Sequence, residues 1–151
     1  MTTSQAFDKI CSYQSNQFKE WFGDMPFEES SVKLYWHELP RRMNDAEIMD
    51  EMNPGEVSIG EMYNCLESLD HNVLGIFYVK DTAGVLRTVS VGWYGVGWGV
   101  VADSVESPFR WDDGDRVFSR NKTLIPSDNL TLEAAIELCQ KNGLIVSKPL
   151  N

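Results

Sequence analysis

Between Val73 and Val105 the chain runs through three apolar stretches, VLGIFYVK, VLRTVSVGWYG and VGWGVVADSV, broken by short glycine-containing turns. Strand-like alternation has a period of two and sends successive side chains to opposite faces. A β-meander at the centre of a sheet is therefore predicted over about 73–105. In the first stretch both alternating sets are apolar: Val73, Phe77 and Val79 on one side, Leu74, Ile76 and Tyr78 on the other. A strand apolar on both sides is covered on both sides. Asp81-Thr82-Ala83-Gly84 carries turn chemistry, with Gly84 free to take positive φ. In the second stretch Val85, Val89, Val91 and Trp93 share one face, and Leu86, Thr88 and Ser90 the wetter one.

Helical spacing dominates elsewhere. Phe7, Ile10, Cys11, Phe18, Trp21 and Phe22 fall on one stripe of a helix predicted over 4–22, capped by Thr3 or Ser4 and stopped at Gly23. Asn44 with Glu47, and Ser58 with Glu61, have capping-box spacing. Ile48, Met49 and Met52 give the first of these short helices an apolar side. Ile59, Met62, Tyr63 and Leu66 do the same for the second, which reaches about Leu69. Thr131 starts a helix to residue 142 with Leu132, Ala135, Ile136 and Cys139 on one face. Short strands are predicted over 32–36, 117–120 and 144–147. The fold class that follows is α+β: a mostly antiparallel sheet built on the central meander, with three main helices (4–22, 58–69 and 131–142) packed on it.

At 151 residues and 42% hydrophobic content, the chain is expected to form a single domain, 1–151, with a core that needs no metal or disulfide. Cys11, Cys65 and Cys139 are odd in number and sit in apolar contexts, which fits free thiols in a reducing compartment. The first residues lack the basic start and apolar core of a secretory signal, and no apolar run approaches the ~20 residues of a membrane span. A cytoplasmic protein without membrane contact is expected.

The net charge is −10, and it is unevenly spread. Residues 1–70 carry 14 acids and 5 bases, and no Lys or Arg falls between Arg42 and Lys80. Asp45, Glu47, Asp50, Glu51, Glu56 and Glu61 lie in that gap and form a candidate acidic partner face. Such a field disfavours nucleic acid bound through its phosphates and suits a protein partner with a basic surface. The alternative is a solvated face that keeps the protein in solution.

A second set of residues carries candidate binding chemistry. Four glycines among the eight residues Gly92–Gly99 surround Trp93, Tyr94 and Trp98 and leave their rings uncovered by chain neighbours. Arg110, Trp111, Arg116 and Arg120 follow, next to the acidic turn Asp112–Asp115. Together these aromatics and arginines make a candidate platform for a ligand or partner. No phosphate loop or nucleophile–base pair can be assembled from the spacing, so no catalytic residue, metal or cofactor is assigned. The functional expectation is a small acidic cytoplasmic protein–protein interaction factor, such as an inhibitor, immunity or anti-defence protein blocking a basic surface. A ligand-binding module built on the aromatic–arginine platform is the alternative. A hydrolase using His37 or the Asp112–Asp115 turn stands third.

Overall fold

The computed structural model describes residues 1–126. The predicted helix 131–142, the strand 144–147 and Cys139 lie outside the described residues. Within them the chain forms α1 (Thr3–Asp8), β1 (Cys11–Gln14), α2 (Asn16–Phe22), β2 (Tyr35–Glu38), β3 (Met43–Asn44) and α3 (Asp45–Glu51). Then come α4 (Ile59–Cys65), extended by a 3-10 turn over Leu66–Ser68, and β4 (Gly75–Lys80), β5 (Leu86–Trp93), β6 (Trp98–Ser104), β7 (Arg110–Trp111) and β8 (Arg116–Ser119).

The meander forms over the predicted stretch. β4 and β5 pair antiparallel from Gly75–Val91 to Lys80–Leu86, and β5 and β6 from Arg87–Ser104 to Trp93–Trp98. The first turn closes because Asp81 Oδ1 accepts from the Ala83 and Val85 N–H groups at 2.8 and 3.0 Å, while Gly84 takes φ 77°. The meander is the middle of a six-stranded sheet, order β1-β6-β5-β4-β8-β2. The sheet is mostly antiparallel; β1 with β6 and β4 with β8 are its parallel pairs. β3 and β7 form a separate two-stranded ribbon.

β4 is covered on both faces, as its double apolar pattern requires. Phe77 and Val79 belong to one core cluster, shared with Phe7, Phe18, Phe22, Met62 and Leu66 of the helices and 3-10 turn. Ile76 and Tyr78 belong to a second, shared with Met43, Ile48 and Trp111 from β3, α3 and β7. The sheet thus lies between a helical layer and a smaller layer made of α3 and the ribbon. Both capping boxes form. Asn44 accepts from the Glu47 N–H at 2.8 Å while Glu47 accepts from the Asn44 N–H at 3.1 Å. Ser58 and Glu61 do the same at 3.1 and 2.7 Å. Among the described residues no helix is long and apolar enough to cross a membrane.

The helix predicted over 4–22 is a correction. The chain breaks there into α1, β1 and α2, and β1 pairs parallel with β6 through Cys11–Trp98 and Gln14–Val100. Ser15 marks the junction. Its Oγ accepts from the Phe18 N–H at 3.1 Å and the Ala102 N–H at 3.2 Å, and its own N–H donates to the Val100 carbonyl at 2.9 Å. An extended segment bonds to a neighbouring strand and a helical one does not, so tertiary pairing overrides the helical period. The apolar stripe still works, because Phe7, Phe18 and Phe22 reach the same cluster from two shorter helices. The strand predicted over 32–36 begins instead at Tyr35, where pairing with β8 starts at Ser119. The helix predicted to Leu69 stays α-helical only to Cys65 and tightens into the 3-10 turn.

Ser15→Ala removes an acceptor used by both a helix start and a strand. It is expected to lower stability by about 1–2 kcal/mol. Phe7→Ala empties a fully buried site and is expected to cost about 3–5 kcal/mol. Urea denaturation midpoints of the two variants check both values.

Candidate functional site

Asp45 opens α3 and is 1% exposed. Its Oδ1 accepts from the Tyr78 hydroxyl at 2.8 Å and from Trp111 Nε1 at 2.9 Å. Burial pushes its carboxyl above the ordinary range, and the Trp111 and Tyr78 donors, with the Thr88 hydroxyl nearby, only partly offset this. The Tyr78 hydroxyl is raised too, by its own burial and then by the adjoining carboxylate. Asp45 and Trp111, read from the sequence as a partner-facing acid and a binding aromatic, are thus bonded to each other inside the second layer.

The other carboxylates of the expected acidic face are largely engaged within the chain. Glu61 is 4% exposed, and Arg120 Nε donates to its two oxygens at 2.9 and 2.8 Å. Burial pushes Glu61 up, but Arg120 and the Ser58 N–H outweigh it and hold the carboxyl below its ordinary range. Arg41 pairs with Glu47 at 3.0 Å and also with Glu51. Lys80 meets Glu56 at 3.4 Å, and Asp50 is half-buried. The signal for this engagement, the capping-box role of Glu61, was present in the sequence; the reach of Arg120 across 59 residues was not.

The aromatic–arginine set is dispersed. Trp93 and Trp98 meet edge to face at 5.3 Å on the helical side of the sheet, with His71 stacked on Trp93 at 4.1 Å. Trp98 is buried and Trp93 half-buried. Tyr94 turns to the other side. A Cβ on Gly99 would come within 2.5 Å of its ring, and one on Gly92 within 2.5 Å of Leu74, so this facing glycine pair is a seat for the side chains that lie over it. Arg116 lies over the Trp36 ring at 3.8 Å and pairs with Asp70 at 3.5 Å. Arg110 is exposed on β7, where its charge acts on Glu47. The Asp112–Asp115 turn is internally tied: Asp115 accepts from the Leu74 and Asp112 N–H groups, each at 3.0 Å. His37 Nε2 meets the Asn121 carbonyl at 3.0 Å. Among the described residues no three His, Cys, Asp or Glu side chains converge as metal ligands.

A further exposed aromatic surface lies outside the residues singled out from the sequence. Among the described residues β2 is an edge strand, and Tyr35 and Trp36 on it are 43% and 50% exposed. Adjacent residues of a strand face opposite ways, so a Tyr-Trp pair on an edge leaves a ring on each side. A groove of about 740 Å³ follows this edge, with Lys33, Lys122, His37 and Cys65 among its lining residues and no carboxylate. Asn64 forms a wall shared with a second recess of about 240 Å³, which holds Glu29, Glu67 and Tyr63. Burial there raises the Tyr63 hydroxyl, and the charges of Glu29, Cys11 and Glu67 add to it. The Cys65 thiol is pushed up to about 12 by burial and Cys11 to about 11, first by burial and then by Asp8, so neither is a ready nucleophile.

No family model, no curated protein and no solved structure shows a significant match to this chain.

Because the folded carboxyl of Asp45 titrates above its unfolded value, the folded state binds more protons between the two, and stability falls as pH rises through that window. Asp45→Asn keeps an acceptor for Tyr78 and Trp111 and removes the titration. It is expected to flatten the stability profile on the alkaline side of the ordinary carboxylate range and to leave the neutral-pH fold at least as stable. Asp45→Ala strands both donors and is expected to cost about 1–3 kcal/mol. Urea unfolding across a pH series checks both.

Proposed function

We propose that the protein is a protein-binding factor that docks its partner along the open edge of β2 and the recesses beside it. The observation that carries this reading is the pair of half-exposed rings, Tyr35 and Trp36, on a strand with no outer neighbour among the described residues. An edge strand offers a row of unpaired N–H and C=O groups, and an extended partner segment satisfies them by adding a strand. Exposed Trp and Tyr then act as anchors, since large rings dominate interface energetics.

Charge gives this surface a direction. Carboxylates of the partner suit the Lys33 and Lys122 end, and basic side chains suit Glu29 and Glu67 across Asn64. The net charge of −10 favours a partner whose wider surface is basic and disfavours nucleic acid phosphates. Covering such a surface is how an inhibitor, immunity or anti-defence protein acts, and that is the role this reading gives the protein. The acidic contribution moves from Asp45–Glu61, where the carboxylates are engaged, to Glu29 and Glu67.

A display library of random ten-residue peptides tests the reading. Enriched peptides are expected to alternate apolar and polar residues and to slow amide hydrogen exchange in β2. Trp36→Ala is expected to weaken them at least about tenfold. Glu29→Lys with Glu67→Lys is expected to remove the preference for basic residues at one end. Peptides that leave exchange in β2 unchanged, or that bind the Trp36 variant equally well, would overturn it.

A further inference from the structure

Of the strands of the six-stranded sheet, β4 and β8 give buried members to the second core cluster, and β5 and β6 give none. On the same side of the sheet the register lays out two rows, Tyr78–Thr88–Asp103 and Ile76–Ser90–Val101. Residues opposite one another in register share a face. Thr88, Ser90 and Asp103 therefore stand together there, and with Tyr94, Phe109 and Trp111 they line a recess of about 210 Å³.

Its chemistry is one-sided. Phe109 and Trp111 meet edge to face at 4.9 Å, and Tyr94 lies over the glycine pair. The exposed Asp103 bonds through one oxygen, Oδ1, to the Ser104 N–H at 2.8 Å. Among the described residues no Lys, Arg or His lines the recess. Behind Trp111 sits the buried carboxyl of Asp45, which feels the charge of Asp103. Thr88 is 2% exposed, and its Oγ1 has no hydrogen-bond partner of normal geometry, although it lies close enough to Asp45 to influence that carboxyl. A buried hydroxyl left without a partner is costly, and here it lines the recess.

We propose that this recess binds a small organic cation, an alkylammonium or alkylguanidinium head. Its charge lies between Asp103 and the rings of Phe109 and Trp111, and an N–H is donated to Thr88 Oγ1. A volume of about 210 Å³ suits a single head group with a short alkyl stem, below the size of most drug-like ligands. The head group has two sources, a free small molecule or an Arg or Lys side chain of a protein. The proposal stands on this recess alone and not on the reading of the β2 edge.

The test is titration of the whole chain with butylammonium, butylguanidinium, the peptide acetyl-Gly-Arg-Gly-amide and neutral pentanamide. The Trp111 indole N–H resonance is followed throughout. Saturable binding of a cation below about 10 mM is expected, with none for pentanamide. Binding of butylguanidinium equal to that of the peptide points to a free ligand, and binding of the peptide alone to a protein side chain; either supports the cation site. Asp103→Asn is expected to weaken binding at least about tenfold. Thr88→Val is expected to weaken it without lowering the thermal midpoint, and Thr88→Ser to restore it. No saturation by any cation, equal binding of pentanamide, or affinity indifferent to either Asp103→Asn or Thr88→Val would overturn the proposal.

Discussion

The small second layer depends on one buried carboxylate. Three pieces of chain far apart in sequence meet at Asp45: the start of α3, the middle of β4 through Tyr78, and β7 through Trp111. The ribbon of β3 and β7 is too short to hold itself, since its strands are two residues each. A low-dielectric site strengthens the hydrogen bonds that the carboxyl accepts there. The same burial makes the carboxylate costly when its donors are removed. Asp45 thus fixes where the layer sits, and in doing so it sets the wall of the recess over Thr88.

Much of the fold was legible because its signals are local. The period-two runs of the meander, the Asp81–Gly84 turn and the two capping boxes each depend on residues a few positions apart, and all appear where the pattern puts them. What the sequence hid is set at long range. Cys11–Gln14 reads as helix, yet the free edge of β6 draws it into a strand. The candidate site was obscured for the same reason. Trp111 and Trp98 look available for binding on the chain, but each finds a buried place among residues distant in sequence. The exposure of Trp36 follows from β2 lying at the edge of the sheet among the described residues.

The acidity of the first half illustrates how little net charge says about free charge. Asp45 and Glu61 are interior groups, and Glu47, Glu51 and Glu56 have cationic neighbours. Ion pairs at the surface contribute little to stability, but they do cancel the local field that a partner would feel. Glu29 and Glu67 stand instead beside an open recess.

The parallel pairing of β1 with β6 also sets the order in which this chain can be completed. Ser15 reaches Ala102 across 87 residues, whereas the meander pairs strands joined by short turns. Contacts of high sequence separation form late, because loop closure must precede any reward from them. On a ribosome the aromatics Phe7, Phe18 and Phe22 emerge before β6, but the sheet that covers them exists only once β6 has been made. Until β6 is in place these three rings lack the sheet that covers them, and apolar surface left open in that interval favours aggregation.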